Sequence, residues 1–421
     1  MTFLRSASRA VLLSLALLAA CDPPRAPLAP PRVPAPAPAA RAPGEIELVE
    51  SVPLETTLDH ADIPDAYEVW PAMIGGATRT LDLAEFYLSN APQSRLETVV
   101  QAVEAAADRG VAVRILADAS FAKRYPETLD RLAARRGIAV RRFDVGPVMG
   151  GVMHAKYFVV DGRETYLGSQ NFDWRAITHV QEIGVRLRDP AAAVTFEQVF
   201  AMDWALAAGE SPPTPAPPPT PPSFQEIAGG RPVTVTPVFS PERFLPYPGS
   251  WDLPKLLAMI EGAKRSVHVQ VLTYKTIARD GTPFPDLDDA LRRAAARGVE
   301  VQLLVADWSK RRGTVDHVQR LARVSGVAVH FIDIPPWSGG FVPFARVAHS
   351  KYMVVDGARA WVGTSNWEGD FFTRSRNVGV IVEGESFAAP LERFFHDGFA
   401  GPYAESVDPD RVYQAPRMDE K

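Results

Sequence analysis

The sequence predicts a duplicated α/β fold, two α/β sandwich lobes related by a pseudo-twofold axis, with the two copies of one motif meeting at that axis. Two observations carry the prediction. An eighteen-residue stretch occurs twice, as H-A-K-Y-F-V-V-D-G-R-E-T-Y-L-G-S-Q-N from His154 to Asn171 and as H-S-K-Y-M-V-V-D-G-A-R-A-W-V-G-T-S-N from His349 to Asn366. Around it, segments of strand and helix period recur in the same order in both halves, and strands alternating with helices make an α/β layered domain.

In chain order, R-T-L-D-L-A-E-F-Y (79 to 87) answers to R-S-V-H-V-Q-V-L-T-Y (265 to 274), each an alternating strand after a helix that ends in G-A. An amphipathic helix, a capping glycine and a strand follow at 99 to 118 and again at 287 to 307. L-A-A-R-R-G-I-A-V-R-R-F (132 to 143) matches L-A-R-V-S-G-V-A-V-H-F-I (321 to 332), and a glycine-bearing loop then leads into each copy of the motif. Helices around Phe196 to Ala208 and Phe387 to Phe399 close the two copies.

The boundaries follow: 45–210 for the first lobe, 211–223 for a proline-rich linker, 224–405 for the second lobe and 406–421 for a C-terminal tail. Before them, Arg5 and Arg9 precede a short apolar run that ends at Cys21, the sole cysteine, so residues 1–21 read as a secretory signal. The run is too short for a stable transmembrane helix. L-A-A-C resembles a bacterial lipobox, which makes Cys21 the expected lipidation site and the envelope of a bacterium, outside the cytoplasm, the expected location. Residues 22–44 are rich in Pro and Ala and read as an extended tether. With one cysteine, no disulfide forms within the chain.

The bulk composition is that of a globular protein, 46% hydrophobic and 23% charged. A net charge of −5 argues against a general nucleic-acid coat protein and leaves a local phosphate site open. Basic pairs such as Arg135-Arg136 read as solvated faces.

Within each motif the side chains alternate, so His154 and Lys156 project from one face, as do His349 and Lys351. Asp161-Gly162 and Asp356-Gly357 are hairpin turns, and the returning arm carries Ser169 and Asn171, or Thr364 and Asn366, back toward the His-Lys end. Such a set suits a phosphodiester, whose non-bridging oxygens gather charge as the leaving group departs. Lys156 and Lys351 supply cations, while Ser169, Thr364, Asn171 and Asn366 supply directed donors. Two histidines divide the proton work, one attacking phosphorus as a neutral imidazole and one protonating the leaving oxygen. Glu182 and Asn377 each lie 28 residues past the histidine of their own half. A carboxylate partner makes an imidazole more basic and fixes its tautomer.

The order His, Lys, Asp resembles the H-x-K-D signature of the phospholipase D superfamily, present here in both halves. The resemblance implies a covalent phosphohistidine released by water or an alcohol, without metal or other cofactor, and adds Asp161 and Asp356 to the expected catalytic set, ranked below the His, Lys and Asn because the hairpin turn alone also accounts for them. In related enzymes a carboxylate near the place of Glu182 orients a catalytic His, so the resemblance also implies that Glu182 backs His154 as the nucleophile while Asn377 backs His349 as the general acid. The flanks, L-V-E-S-V-P, Y-L-G-S-Q-N-F-D-W-R-A-I-T, P-F-A-R-V-A-H-S-K-Y-M-V and V-G-T-S-N-W-E-G-D-F-F, are similar to the branch of endolysosomal single-strand exonucleases and poxvirus envelope proteins, over residues 48 to 405. That likeness makes single-stranded nucleic acid the first substrate expectation and a membrane phospholipid, by hydrolysis or phosphatidyl transfer, the second. A third, of another class, is a membrane-associated protein that binds phosphate or lipid without turnover. No protein partner is needed to build the site. The rings of Trp174 and Trp367, directly behind the hairpins, are expected in the core, and none of Phe172, Phe371, Phe372, Trp337 or Phe341 is assigned to binding.

Overall fold

Runs such as L-D-L-A and V-H-V-Q, buried on both faces, form strands at the centre of a sheet, because helices cover one side and the other half of the molecule covers the other. The computed structural model describes residues 44–213 and 223–419. Cys21, the signal segment and most of the two proline-rich runs lie outside the described residues.

Each repeat contributes seven strands in matching order. In the first they are β1 (Gly44–Ser51), β2 (Thr80–Glu85), β3 (Ala112–Asp118), β4 (Ile138–Phe143), β5 (Tyr157–Val160), β6 (Glu164–Gly168) and β7 (Val180–Arg188). In the second they are β8 (Arg231–Ser240), β9 (Ser266–Val271), β10 (Glu300–Ala306), β11 (Val327–Ile332), β12 (Tyr352–Val355), β13 (Arg359–Gly363) and β14 (Asn377–Glu383). The pairing runs β4-β3-β2-β5-β6-β7-β1 and β11-β10-β9-β12-β13-β14-β8. A strand at Phe224–Ala228 pairs with both β1 and β8 and so joins the two sheets.

The helices at Ala66–Gly75 and Arg95–Asp108 cover the outer face of the first sheet around Trp70, Leu83 and Ile115. Those at Asp252–Glu261 and Asp286–Ala296 do the same in the second repeat around Leu256, Val269 and Leu303. Between the sheets lies a shared core that takes Tyr157, Val159 and Val185 from one repeat and Tyr352, Val354 and Val380 from the other. The closing helices, Pro190–Ala207 and Glu385–Phe399, bury Phe196, Phe200, Phe394 and Phe395 in it. The two repeats therefore share one interior. Past the last short strand, Ala404–Ser406 on β11, Val407 and Tyr413 pack on the second repeat, so this part of the chain is docked.

Two glycine pairs fix how closely the motif hairpins approach the strand beside them. Gly168 faces Gly184 and Gly363 faces Gly379 in register. A Cβ on Gly379 would stand 2.8 Å from the indole nitrogen of Trp361, closer than packing allows.

Candidate active site

The D-G steps turn as their type demands. Asp161 and Gly162 have φ of 54° and 63°, and Asp356 and Gly357 have 57° and 65°, which places both central residues of each turn in the left-handed region of a tight hairpin. The Asp side chains explain their own presence. Asp161 accepts from the backbone amides of Thr78, Arg79 and Thr80, and Asp356 from those of Lys264, Arg265 and Ser266. These bonds pull both carboxylates below the usual range, against the effect of burial. The catalytic part expected of Asp161 and Asp356 is not what the geometry gives: they sit at the turn, the opposite end of the strand from the histidine, and pin it to the start of β2 or β9.

Each histidine lies just before its strand, docked on the other repeat. His154 N donates to the Arg376 carbonyl (3.0 Å), and His349 N donates to the Gln181 carbonyl (2.8 Å). Val347-Ala348 form a short parallel ladder with Val180-Gln181, and Met153 bridges to Arg376. The residues next to these partners, Glu182 and Asn377, consequently face the histidine of the opposite half. Both carboxylate oxygens of Glu182 lie 2.9 Å from His349 Nδ1, and Asn377 Oδ1 lies 3.0 Å from His154 Nδ1. The pairing of Glu182 with His154 and of Asn377 with His349, expected from the resemblance and the 28-residue spacing, is thus reversed. The reason is the pseudo-twofold: equal spacing in two halves that dock crosswise brings each partner to the other copy.

Asn377 is held with its oxygen toward the ring, since its Nδ2 donates to the Phe371 carbonyl (2.7 Å) and Thr364 Oγ1 donates to the same Oδ1 (2.9 Å). An oxygen that only accepts requires a proton on His154 Nδ1 and leaves Nε2 with its lone pair. Burial, with Lys156 and Lys351 nearby, pushes His154 well below the usual imidazole range, so its ring is neutral. Burial also lowers His349, opposed by Glu182, so the carboxylate-backed ring is the one equipped to hold a proton.

Lys156 Nζ donates to the His154 carbonyl (2.6 Å), and Lys351 Nζ makes the same bond to the His349 carbonyl. Burial lowers both ammonium groups, Lys156 to about 7 and Lys351 well below its ordinary value. Burial disfavours their charged form, and an anion beside them would favour it again. Asn171 and Asn366 line the cleft, and the Oδ1 of each is buried without a partner. Ser169 and Thr364 do not meet the phosphate-binding role expected of them. Ser169 Oγ is bonded to the backbone of Ile183 at 3.0 Å, and Thr364 to Asn377 and Val378, so these hydroxyls clamp the hairpin to β7 and β14.

His154, His349, Glu182, Asn171 and Asn366 line one cleft of about 210 Å³. Its walls are aromatic: Phe86, Tyr87, Phe121 and Tyr125 from the first repeat, Trp308 and Phe344 from the second. Tyr87 stacks on Tyr125 with centroids 5.1 Å apart, and Arg124 spans Tyr125 and Phe344 at 5.4 and 5.3 Å. Of the rings singled out in the sequence, Phe172, Trp367 and Phe372 are core, and Phe371 packs edge-on to His154 at 4.7 Å.

Several residues escaped the sequence reading. Asp118 caps the helix Ala119–Arg124 and accepts from Met153 N (2.9 Å), fixing the approach to His154; the shared A-D-x-S of residues 117–120 and 306–309 was its signal. Glu85 is buried near Lys156, and burial raises its carboxyl well above the usual range. Arg376 and Asp203, both fully buried, form a two-bond ion pair between the repeats, each bond 2.8 Å.

A duplicated fold that brings two histidines to one cleft, each followed by a lysine buried beside it, is that of the phospholipase D superfamily, and the chain belongs to it: the family model described as "Cardiolipin synthase, PLD-like domain" matches residues 71–204 and 256–398. It is an enzyme of the phosphodiesterase and hydrolase class. Among its relatives, the 5'-3' exonuclease PLD3 of Bos taurus is 31% identical over 400 residues, covering 87% of this chain and 81% of the relative. Phospholipase D Z of Dictyostelium discoideum is 27% identical over 385 residues, covering 86% and 90%. Among solved structures, phosphatidylserine synthase of Haemophilus influenzae shares the fold, with a TM-score of 0.58 at 11% identity over 81% of this chain and 85% of the other.

Proposed function

We propose that this chain cleaves phosphodiesters of single-stranded nucleic acid through a phosphohistidine on His154. The observation that carries the proposal is the crosswise support of the two histidines. His154, held neutral with a free Nε2, attacks phosphorus; the P–O bond to the leaving group breaks, and His349, whose imidazolium Glu182 supports, gives its proton to the departing oxygen. His349, now neutral, takes a proton from water, which attacks phosphorus and breaks the P–N bond. Lys156, Lys351, Asn171 and Asn366 hold the non-bridging oxygens. The roles are those expected from the sequence, for a different reason: the carboxylate belongs to the acid.

The aromatic walls support the nucleic-acid reading, because bases stack on such rings in a sequence-tolerant way, at about 1–3 kcal/mol per base. So does the name of the exonuclease relatives, which cover most of the chain. The lipid anchor expected at Cys21 belongs to the same proposal and holds the enzyme at a bacterial envelope membrane. Among the described residues no helix is long and apolar enough to cross a membrane. Labelled fatty acid incorporated into the wild type and not into Cys21→Ser is the expected result.

The substrate test gives purified protein 5′-labelled single-stranded DNA and, separately, phosphatidylcholine or cardiolipin vesicles, all in EDTA. Shortened DNA with intact lipid supports the proposal. Head-group release with intact DNA replaces it with a phospholipase. Phosphate binding without turnover of either replaces it with a binding protein. His154→Ala and His349→Ala serve as inactive controls.

A further inference from the structure

The duplication lets one repeat serve as the reference for the other away from the cleft. In the first repeat, Asp82 on β2 faces Arg114 across the parallel ladder to β3, and the two form a bidentate ion pair at 2.7 and 2.6 Å. The closing helix brings Glu197 to the same place, where burial and the nearby Asp82 push its carboxyl to about 7. The guanidinium balances this pair of acids.

The equivalent place in the second repeat is built otherwise. His268 stands where Asp82 does, and its neighbour in the same register on β10 is Gln302 in place of Arg114. Glu392 on the closing helix answers to Glu197. One turn further, where the first repeat has Ala201, the second has His396. The cation is gone, and two imidazoles have joined the carboxylate.

These three groups converge. One ligand atom from each of His268, Glu392 and His396 lies within 4.8 Å of the others, with Glu392 Oε1 3.3 Å from His396 Nε2 and 2.5 Å from His268 Nδ1. Glu392 and His396 share a helix face at i, i+4, and His268 comes up from the strand beneath. A tetrahedral ion with bonds of ~2.0–2.1 Å sets its ligand atoms about 3.3 Å apart; Glu392 Oε1 and His396 Nε2 already stand at that spacing, and His268 Nδ1 has to draw back from Glu392 for the triad to close. Two buried acceptors stand by without partners, Glu392 Oε2 and Gln302 Oε1. A buried polar atom without a partner calls for an occupant.

We propose that His268, Glu392 and His396 bind a divalent transition-metal ion of the zinc class, under the closing helix of the second repeat and apart from the catalytic cleft. Two imidazoles and one carboxylate match the preference of such ions for nitrogen with mixed oxygen ligands, and a fourth position is left for water or Gln302. The ion takes the place that the Arg114 guanidinium holds in the first repeat, tying the closing helix to the sheet. An ion bound through His268 Nδ1 takes that nitrogen's lone pair, so the ring carries its single proton on Nε2 when the site is filled.

The test uses untagged full-length protein in detergent, stripped with a chelator and titrated with Co²⁺ as a spectroscopic probe. The proposal expects one equivalent with the visible absorption of a tetrahedral site, displaced by Zn²⁺. The band should vanish in His396→Ala and in Glu392→Gln, and Zn²⁺ should raise the melting temperature of the wild type and of neither variant. His396 is 51% exposed, so its replacement leaves the fold intact, and DNA turnover by His396→Ala should equal that of the wild type. Absence of the band overturns the proposal. So does a band that survives both variants, or one lost in His154→Ala and kept in His396→Ala, which would put the ion in the cleft. The absorption and melting results do not depend on which diester the enzyme cleaves.

Discussion

At the scale of single residues, the chemistry turns on what stands behind each imidazole. Glu182 raises the proton affinity of His349, and burial lowers that of both rings. Turnover then needs His349 protonated and His154 neutral, and the optimum falls on the acid side of neutrality. Glu182→Gln removes the group that favours the imidazolium, so the basic limb of the kcat/KM profile should move to lower pH; a pH-rate profile in which the acidic limb moves instead would contradict the assignment. Lys156 is the second case. Its ordinary ammonium holds a proton to 10.5, and here it holds it only to about 7. Between those values the unfolded chain binds the extra proton, so this group makes stability rise with pH across that window and costs stability below it. Lys156→Met should abolish turnover, raise the melting temperature at pH 7 by the equivalent of about 1–3 kcal/mol, and flatten its rise toward alkaline pH. Thermal scans of both proteins across the window check the sign.

At the scale of elements, the motif is a hairpin held at both ends. The turn end is held by Asp161 or Asp356 on three amides, and the open end by the Ser169 or Thr364 hydroxyl and the facing glycines. Gly379→Ala pushes a methyl against Trp361 and should cost about 1–3 kcal/mol, as overpacking does. Because β14 carries Asn377, kcat should fall along with Tm. Much of this was legible in the sequence: strand and helix period, the D-G turns and capping glycines gave the order of elements in both repeats. The roles within the hairpin were less so. A Ser or Asp repeated beside a catalytic pair reads as chemistry when only its place in the motif is seen, and the backbone groups that absorb them lie outside the motif, at Ile183 on β7 for Ser169 and at Thr78 to Thr80 for Asp161. The aromatic walls were hidden for the same cause: Phe86 and Tyr87 read as the tail of a strand, and only the approach of the helix carrying Phe121 and the loop carrying Phe344 makes them a cleft.

At the scale of the molecule, the two repeats are one machine because each finishes the other. The sequence showed the duplication and a meeting at the axis, yet equal spacing in the two halves cannot tell self-pairing of Glu182 and His154 from the crosswise pairing that docking produces. The tie that enforces the crossing is Arg376, whose backbone holds His154 while its guanidinium grips Asp203 in the shared interior. Asp203→Asn leaves a buried guanidinium without its counter-charge and should cost about 3–5 kcal/mol. Denaturant unfolding should lose that stability in one transition for the whole molecule; a loss confined to the second repeat would deny that the repeats fold as one. The site's polarity is likewise a property of the assembly. Neither half carries a carboxylate for its own histidine, and only the docked pair has one neutral and one carboxylate-backed ring.

The most direct test of that asymmetry is to find the phosphorylated histidine. A nucleotide p-nitrophenyl diester has a leaving group that needs no proton, so in His349→Ala its phosphorus should still be attacked by His154 with loss of p-nitrophenolate, and the variant should then stall, lacking the base that activates water. After quenching at alkaline pH, where phosphohistidine survives, peptide mass spectrometry should find the nucleotidyl adduct on the His154 peptide, stable in His349→Ala and absent from His154→Ala. An adduct on His349 that accumulates in His154→Ala would reverse the roles and contradict the account.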